Sequence, residues 1–178
     1  MILSDKGILA EMERGNIVID PFDMQSLGTN SYDVHIGPYM AMYEQAVLDA
    51  RQPNTLQEFT IPDEGLRLDP GHLYLGVTQE YTETHNRVPF LEGKSSAGRL
   101  GIFIHATAGK GDVGYCNTWT LEITVAQPVI IYAGMPIGQL IYFEVDGEVG
   151  IYYYDKASAK YNERAYRPIA SRMYKNNF

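Results

Sequence analysis

Cysteine is nearly absent from this 178-residue chain, and Cys116 is the only one. An internal disulfide is therefore excluded, and the composition suits a reducing cytoplasm. Long hydrophobic runs are also missing; none approaches the roughly 20 residues of a membrane-spanning helix, so no membrane partner is expected. The stretch from Met1 to Met12 carries Asp5, Lys6 and Glu11, which does not read as a secretory signal. Positive charge is scarce. The 14 Lys and Arg stand against 22 Asp and Glu, a net charge of −8 that argues against nucleic acid as a partner. No internal repeat or low-complexity tract is visible.

What is present reads as one β-rich domain over 1–178. With 45% hydrophobic residues, the chain is long enough to bury a proper core. Ser4 and Asp5 can start a short helix, with Ile8, Leu9 and Met12 on one face and Gly15 placed to end it. Beyond it the pattern changes to strands: Ile17 to Ile19, Tyr32 to Ile36, Tyr39 to Tyr43, Leu73 to Thr78, Phe103 to Thr107, Thr118 to Val125, Val129 to Tyr132 and Gln139 to Val145. Pro21, Gly28-Thr29-Asn30, Pro70-Gly71, Ala133-Gly134-Met135-Pro136 and Asp146-Gly147 punctuate them. Many short strands and little helix predict an all-β fold, a compact barrel or jelly roll. Gln45 to Pro62 is polar and irregular and finds no place in this pattern.

The most informative stretch runs from Leu91 to Val125. Gly93-Lys94-Ser95-Ser96 and Gly98-Arg99 combine small hydroxyl residues, glycine and cations, which is what an anion site built on a turn or short helix needs. A second glycine cluster, Gly109 to Tyr115, reads as a hairpin in which three glycines and Asp112 permit positive φ. On the return strand Trp119, Leu121, Ile123 and Val125 alternate onto one face. Glu122 falls on the other, between Thr120 and Thr124. A carboxylate in mid-strand is ordinarily a solvated residue; here it stands one strand away from both glycine motifs. The last residues are unusual in charge. Asp155 to Phe178 carries Lys156, Lys160, Arg164, Arg167, Arg172 and Lys175 against two acids, a net +4 on a body of −12. Such a basic arm either adheres to the acidic body or closes over a polyphosphate held there.

GKSSAGRLG, HATAG, GDVGY and TLE together resemble the core motifs of the dCTP deaminases, within the wider trimeric dUTPase superfamily. Asn30 to Gly37 and the ending Lys160-Tyr161 with Ser171-Arg172 extend the similarity over nearly the whole chain. The resemblance implies a dUTPase-like distorted β-barrel, a cytoplasmic homotrimer, and hydrolysis of dCTP to dUTP and ammonia. It implies Glu122 as the catalytic carboxylate, with Ser95 and Arg99 around it and backbone near Ala108 holding water and base. Asp112 and Tyr115 would face the sugar. Lys94, Ser96, Lys110, Gln139, Tyr153, Lys160 and Arg164 complete the expected nucleotide contacts, with Mg²⁺ carried by the triphosphate. His105 and Thr107 occupy the region through which relatives respond to dTTP, a candidate inhibitor. Two departures stand out: Asn117 replaces an expected hairpin glycine, and the tail lacks the usual Gln and following Gly.

Zinc is not expected. Zinc base deaminases need an H-x-E and paired cysteines, whereas the four histidines here precede Ile-Gly, Leu-Tyr, Asn-Arg and Ala-Thr. No G-x-S-x-G elbow occurs either. Three alternatives to simple dUTP release remain: a bifunctional enzyme carrying dCTP to dUMP and pyrophosphate, toward which Gly109, Tyr115 and Gln139 lean; a dUTP pyrophosphatase using Asp112 alone; and a nucleotide-binding sensor without turnover.

Overall fold

A computed structural model describes all residues from Met1 to Phe178. The chain opens on helix α1 (Asp5–Glu13), capped by the Ser4 hydroxyl, which accepts from the Gly7 amide at 3.2 Å. Gly15, at φ +72°, turns the chain out of the helix. Twelve strands follow: β1 (Ile17–Asp20), β2 (Tyr32–Tyr43), β3 (Leu56–Thr60), β4 (Leu66–Leu68), β5 (Tyr74–Thr78), β6 (Tyr81–Thr84), β7 (Arg87–Gly93), β8 (Ile102–Phe103), β9 (Cys116–Asn117), β10 (Thr120–Val125), β11 (Val129–Ile131) and β12 (Pro136–Glu144). Between β7 and β8 lies a single short helix, α2 (Ser95–Arg99).

All the strand pairs are antiparallel, and the main sheet runs β7-β12-β2-β5-β10-β8, with β3 added to β2. Two small sheets, β1-β6-β9 and β4-β11, help to wrap it into a distorted, nearly closed barrel. Its interior is a single cluster that includes Tyr32, Val34, Ile36, Leu121, Ile123, Ile137 and Leu140. Leu121 and Ile123 are wholly buried, as the alternation on their strand demands. Each such side chain removed from water contributes about 1.5–3 kcal/mol.

Several expected boundaries move. Tyr32 to Ile36 and Tyr39 to Tyr43 form one strand, β2, whose pairing shifts register between Ile36 and Met40 around Gly37-Pro38. The expected strand from Phe103 to Thr107 stops at Phe103, although the Ile104 carbonyl still accepts from the Glu122 amide at 2.9 Å. Within the unplaced Gln45 to Pro62, Leu56–Thr60 is β3, paired along Tyr39 to Tyr43. Strands β4, β6, β7 and β9 were not foreseen; β7 hides behind Arg87, Pro89 and Glu92. As an outer strand of the main sheet it tolerates Pro89, whose missing N–H breaks no central ladder.

The glycine cluster is not a hairpin. The Leu91 amide donates to the Gly109 carbonyl (2.7 Å) and the Gly111 amide to the Pro89 carbonyl (2.8 Å), so the segment lies along the free edge of β7. Only Gly114 has positive φ, +89°. Gly109 and Gly111 are required for close approach instead. A Cβ on Gly109 would collide with the Leu91 carbonyl oxygen, and one on Gly111 would lie 2.6 Å from Trp119 Cη2.

One buried charge fastens the helix to this frame. Glu11, 4% exposed, accepts from Arg14 Nη1 (2.7 Å), Asn16 Nδ2 (2.9 Å) and Asn86 Nδ2 (2.7 Å), with Arg87 Nη2 3.4 Å away. Burial raises the carboxyl, but the hydrogen bonds from Asn86, Asn16 and Arg14 outweigh it and hold the pKa below its usual value. A carboxylate depressed on folding stabilises the protein above its unfolded pKa, and that stability is lost as pH falls through the folded one. Glu11→Gln is expected to lower stability near neutrality by about 1–3 kcal/mol and to flatten the acid limb below about pH 4.5. Denaturant melts across that range check both; an unchanged acid limb would remove Glu11 from this role.

Candidate active site

Between β10, the glycine segment and the C-terminal arm lies a cavity of about 520 Å³. Thr120 and Glu122 of β10 form its floor, and Ala106, Thr107 and Ala108 border them. The Ala106 amide donates to Glu122 Oε2 at 2.8 Å, which fixes the carboxylate of the mid-strand residue in place. The short β8 explains this arrangement: strand pairing ends at Phe103, and the loop runs on so that the Ala106 amide reaches the Glu122 carboxylate on the neighbouring strand.

Lys110, Gly111, Asp112 and Tyr115 supply a second wall. Lys110 Nζ and Asp112 Oδ1 pair at 2.5 Å, both about half exposed, so neither charge is buried. Tyr115 packs with its ring centroid 4.7 Å from Trp119 and 5.7 Å from Tyr153. Burial raises its phenol above the usual range, and the protonated hydroxyl donates to the Thr118 carbonyl at 2.7 Å. Tyr43, Leu48, Leu73 and Leu75 make an apolar end; Tyr153, Tyr161, Ile169 and Ser171 close the last side. The arrangement offers a hydrogen-bonded carboxylate beside a second acid, facing apolar and aromatic surface large enough for a nucleoside.

Of the expected site residues, Glu122, Ala108, Lys110, Asp112, Tyr115 and Tyr153 line this one cavity. Ser95, Ser96 and Arg99 are exposed on α2 and do not line the cavity. Lys94 is paired with Asp33 of β2, and Gln139 Nε2 donates to the Gly93 carbonyl at 3.5 Å. Arg164 stacks over Tyr81, 4.2 Å from the ring centroid, while the Lys160 amide donates to the Tyr153 hydroxyl at 3.3 Å. Neither reaches the cavity within this chain. Sequence reasoning missed Leu48, which carried no signal in an irregular segment, and Tyr161, visible only as a neighbour of Lys160.

One grouping has metal-ligating composition. Donor atoms of Glu83, His85 and Cys116 lie within 4.8 Å of one another, a juxtaposition that spacing along the chain concealed. Glu83 is already engaged by His85 Nε2 (3.0 Å) and the Tyr81 hydroxyl (2.8 Å). Burial, with the Glu83 charge, pushes the Cys116 thiol up to about 11, away from the thiolate that metals bind. None of the three lines the cavity. No helix in the chain is long and apolar enough to cross a membrane.

Comparisons with known proteins agree on one family. The dCTP deaminase-like family matches residues 2–145. A protein of Leptospira biflexa serovar Patoc named "dCTP deaminase, dUMP-forming" is 48% identical over 159 residues, covering 89% of this chain and 91% of its own. Another of that name, from Clostridium beijerinckii, is 45% identical over 177 residues, covering 99% of this chain and 98% of its own. In the crystal structure of the 2'-deoxycytidine 5'-triphosphate deaminase from Agrobacterium tumefaciens, the similar fold has a TM-score of 0.63 at 22% identity. That match covers 79% of this chain and about half, 47%, of the Agrobacterium chain. With a match over most of its length and relatives at this identity, the chain belongs to the dCTP deaminase-like family.

Proposed function

We propose that this protein is a hydrolase that deaminates dCTP and carries the product on to dUMP and pyrophosphate. The observation that carries the reading is Glu122, a carboxylate on the floor of a nucleoside-sized cavity, anchored by the Ala106 amide. In the first step, water adds to C4 of the cytosine, a proton reaches N3, the C4–N bond breaks and ammonia leaves. Glu122 takes one proton from the water and gives it to N3, then takes the second from the new C4 hydroxyl and gives it to the leaving nitrogen as the C4 carbonyl forms, the work of one positioned general acid/base. In the second step a water adds at phosphorus and the phosphoanhydride bond breaks, with Asp112 orienting that water. Dominance of dUMP formation over dUTP release is supported by the name borne by the relatives at 45–48% identity.

A triphosphate brings several negative charges, whereas the only cation lining the cavity is Lys110, already paired with Asp112. Ser95, Ser96 and Arg99, exposed on α2, therefore serve the cavity of another copy, in a homotrimer whose sites lie between subunits. Mg²⁺ would enter with the substrate and neutralise part of the triphosphate's charge, with no protein ligand of its own required. Zinc has no part in the chemistry. Chelator-treated protein is expected to regain full ammonia release with Mg²⁺ alone, and elemental analysis is expected to find no stoichiometric zinc. A zinc requirement would overturn the mechanism and turn attention to Glu83, His85 and Cys116.

A further inference from the structure

Asn117 stands where the related motif expects glycine, yet it does not occupy a left-handed turn; it lies in β9 and is wholly buried. Its side-chain amide uses its full capacity of two donors and two lone pairs. Nδ2 donates to the carbonyls of Tyr161 (3.1 Å) and Glu163 (2.8 Å), and Oδ1 accepts from the amides of Ala165 (2.9 Å) and Thr118 (3.0 Å). Three of those four partners belong to the C-terminal arm. The next residues continue the attachment. The Thr118 hydroxyl donates to the Ala165 carbonyl at 2.5 Å, and the Thr120 hydroxyl accepts from the Ile169 amide at 3.1 Å. Two residues beyond Thr120 on the same strand is Glu122.

We propose that Asn117 is a positioning residue that docks the arm on the strand bearing Glu122 of its own chain, so that Tyr161 and Ile169 form a fixed wall of the cavity. The arm is recognised through its backbone, by side chains of β9, β10 and the link between them, and Arg167 and Arg172 are engaged elsewhere. Arg167 pairs with Glu58 at 2.7 Å and stacks 4.1 Å over Tyr39, and Arg172 pairs with Glu163 at 3.0 Å. The Arg167 pair is about half exposed and contributes little, while Arg172, 21% exposed, ties Glu163 and the Lys160 carbonyl together within the arm itself; the buried amide decides the docking. Removing it leaves two carbonyls and an amide of the arm without partners, and the least costly remedy is release of the arm to water.

The proposal rests on the dCTP reading for its kinetic half only. Trypsin reports the docking directly, because Lys156, Lys160, Arg164, Arg172 and Lys175 all lie in the arm, none of them followed by proline. In Asn117→Ala, cleavage of the arm is expected to run about tenfold faster, with the barrel intact. KM for dCTP is expected to rise about tenfold with kcat within about threefold, since the chemistry at Glu122 is untouched. Tyr161→Ala should raise KM while the arm stays protected, which separates the wall from the clamp. If Asn117→Ala does not fold, Thr118→Val removes a single arm contact and should show the same two effects more weakly. An arm as protected in these clamp variants as in the native chain, or a loosened arm with unchanged KM, overturns the proposal. If the native protein turns over no dCTP, the functional reading fails, and the proteolysis still decides whether Asn117 docks the arm.

Discussion

Glu122→Gln is expected to bind dCTP as the native protein does and to lose ammonia release by at least about 10²–10⁴-fold, the range for removing a general acid/base. Glutamine keeps the oxygen that accepts from the Ala106 amide and keeps the shape of the floor, so the geometry persists. What disappears is the capacity to hold and return a proton. Binding is measured by titration calorimetry and turnover by ammonia release. Turnover within tenfold of the native rate would remove Glu122 from the chemistry. Mixing Glu122→Gln with Arg99→Ala extends the test. Reassembled oligomers are expected to recover activity if each cavity draws α2 from another copy, and to stay inactive if both residues serve one chain.

Gly109→Ala is expected to lower activity about a hundredfold although the substitution touches no substrate. Its Cβ would meet the Leu91 carbonyl oxygen on the edge of β7, so the segment must lift away. The same segment carries Lys110 and Asp112 into the cavity. Overpacking of this kind typically costs about 1–3 kcal/mol in stability, and a displacement near 1 Å in a positioned group can cost on the order of 10²-fold in rate. The comparison is Gly114→Ala, where the residue sits at φ +89° and the added methyl would meet Tyr152 and Tyr153 instead. Native kinetics in Gly109→Ala, in a folded protein, would show that the close approach is not what positions Lys110 and Asp112.

These two glycines also mark where the sequence was legible and where it was not. Alternation named the buried face of β10 and put Glu122 opposite it, because strand periodicity is a local property. The same local reasoning took Gly109 to Tyr115 for a hairpin, since glycine invites positive φ. In the folded chain Gly109 and Gly111 serve a contact with β7, some twenty residues earlier, and no local rule reports a distant backbone. Strand β7 was invisible for a related reason: its Pro89 and charged residues are acceptable only on an outer strand, and strand order is not written in a run of residues. β3 likewise exists because β2 offers it a partner over Tyr39 to Tyr43.

The motifs found by resemblance divided in the same way. Those on β10 and the glycine segment converge on one cavity, whereas Ser95, Ser96 and Arg99 stand apart from it on α2. A motif records which residues a site needs, without recording which copy of the chain supplies them. The arm was legible as charge, and its backbone docking was not. Its net +4 points to a phosphate lid; within the single chain Arg164 stacks on Tyr81 and Arg167 pairs with Glu58. Asn117, noticed only as a departure from glycine, holds the arm through its backbone.

The most direct test of the central claim is to incubate the purified protein with dCTP and Mg²⁺ and to resolve the products by chromatography alongside an ammonia assay. The expected result is ammonia, dUMP and pyrophosphate in equal amounts, with little free dUTP. Accumulation of dUTP and ammonia alone would retain the deaminase and contradict the second step; unchanged dCTP, with no ammonia, would contradict the account at its centre.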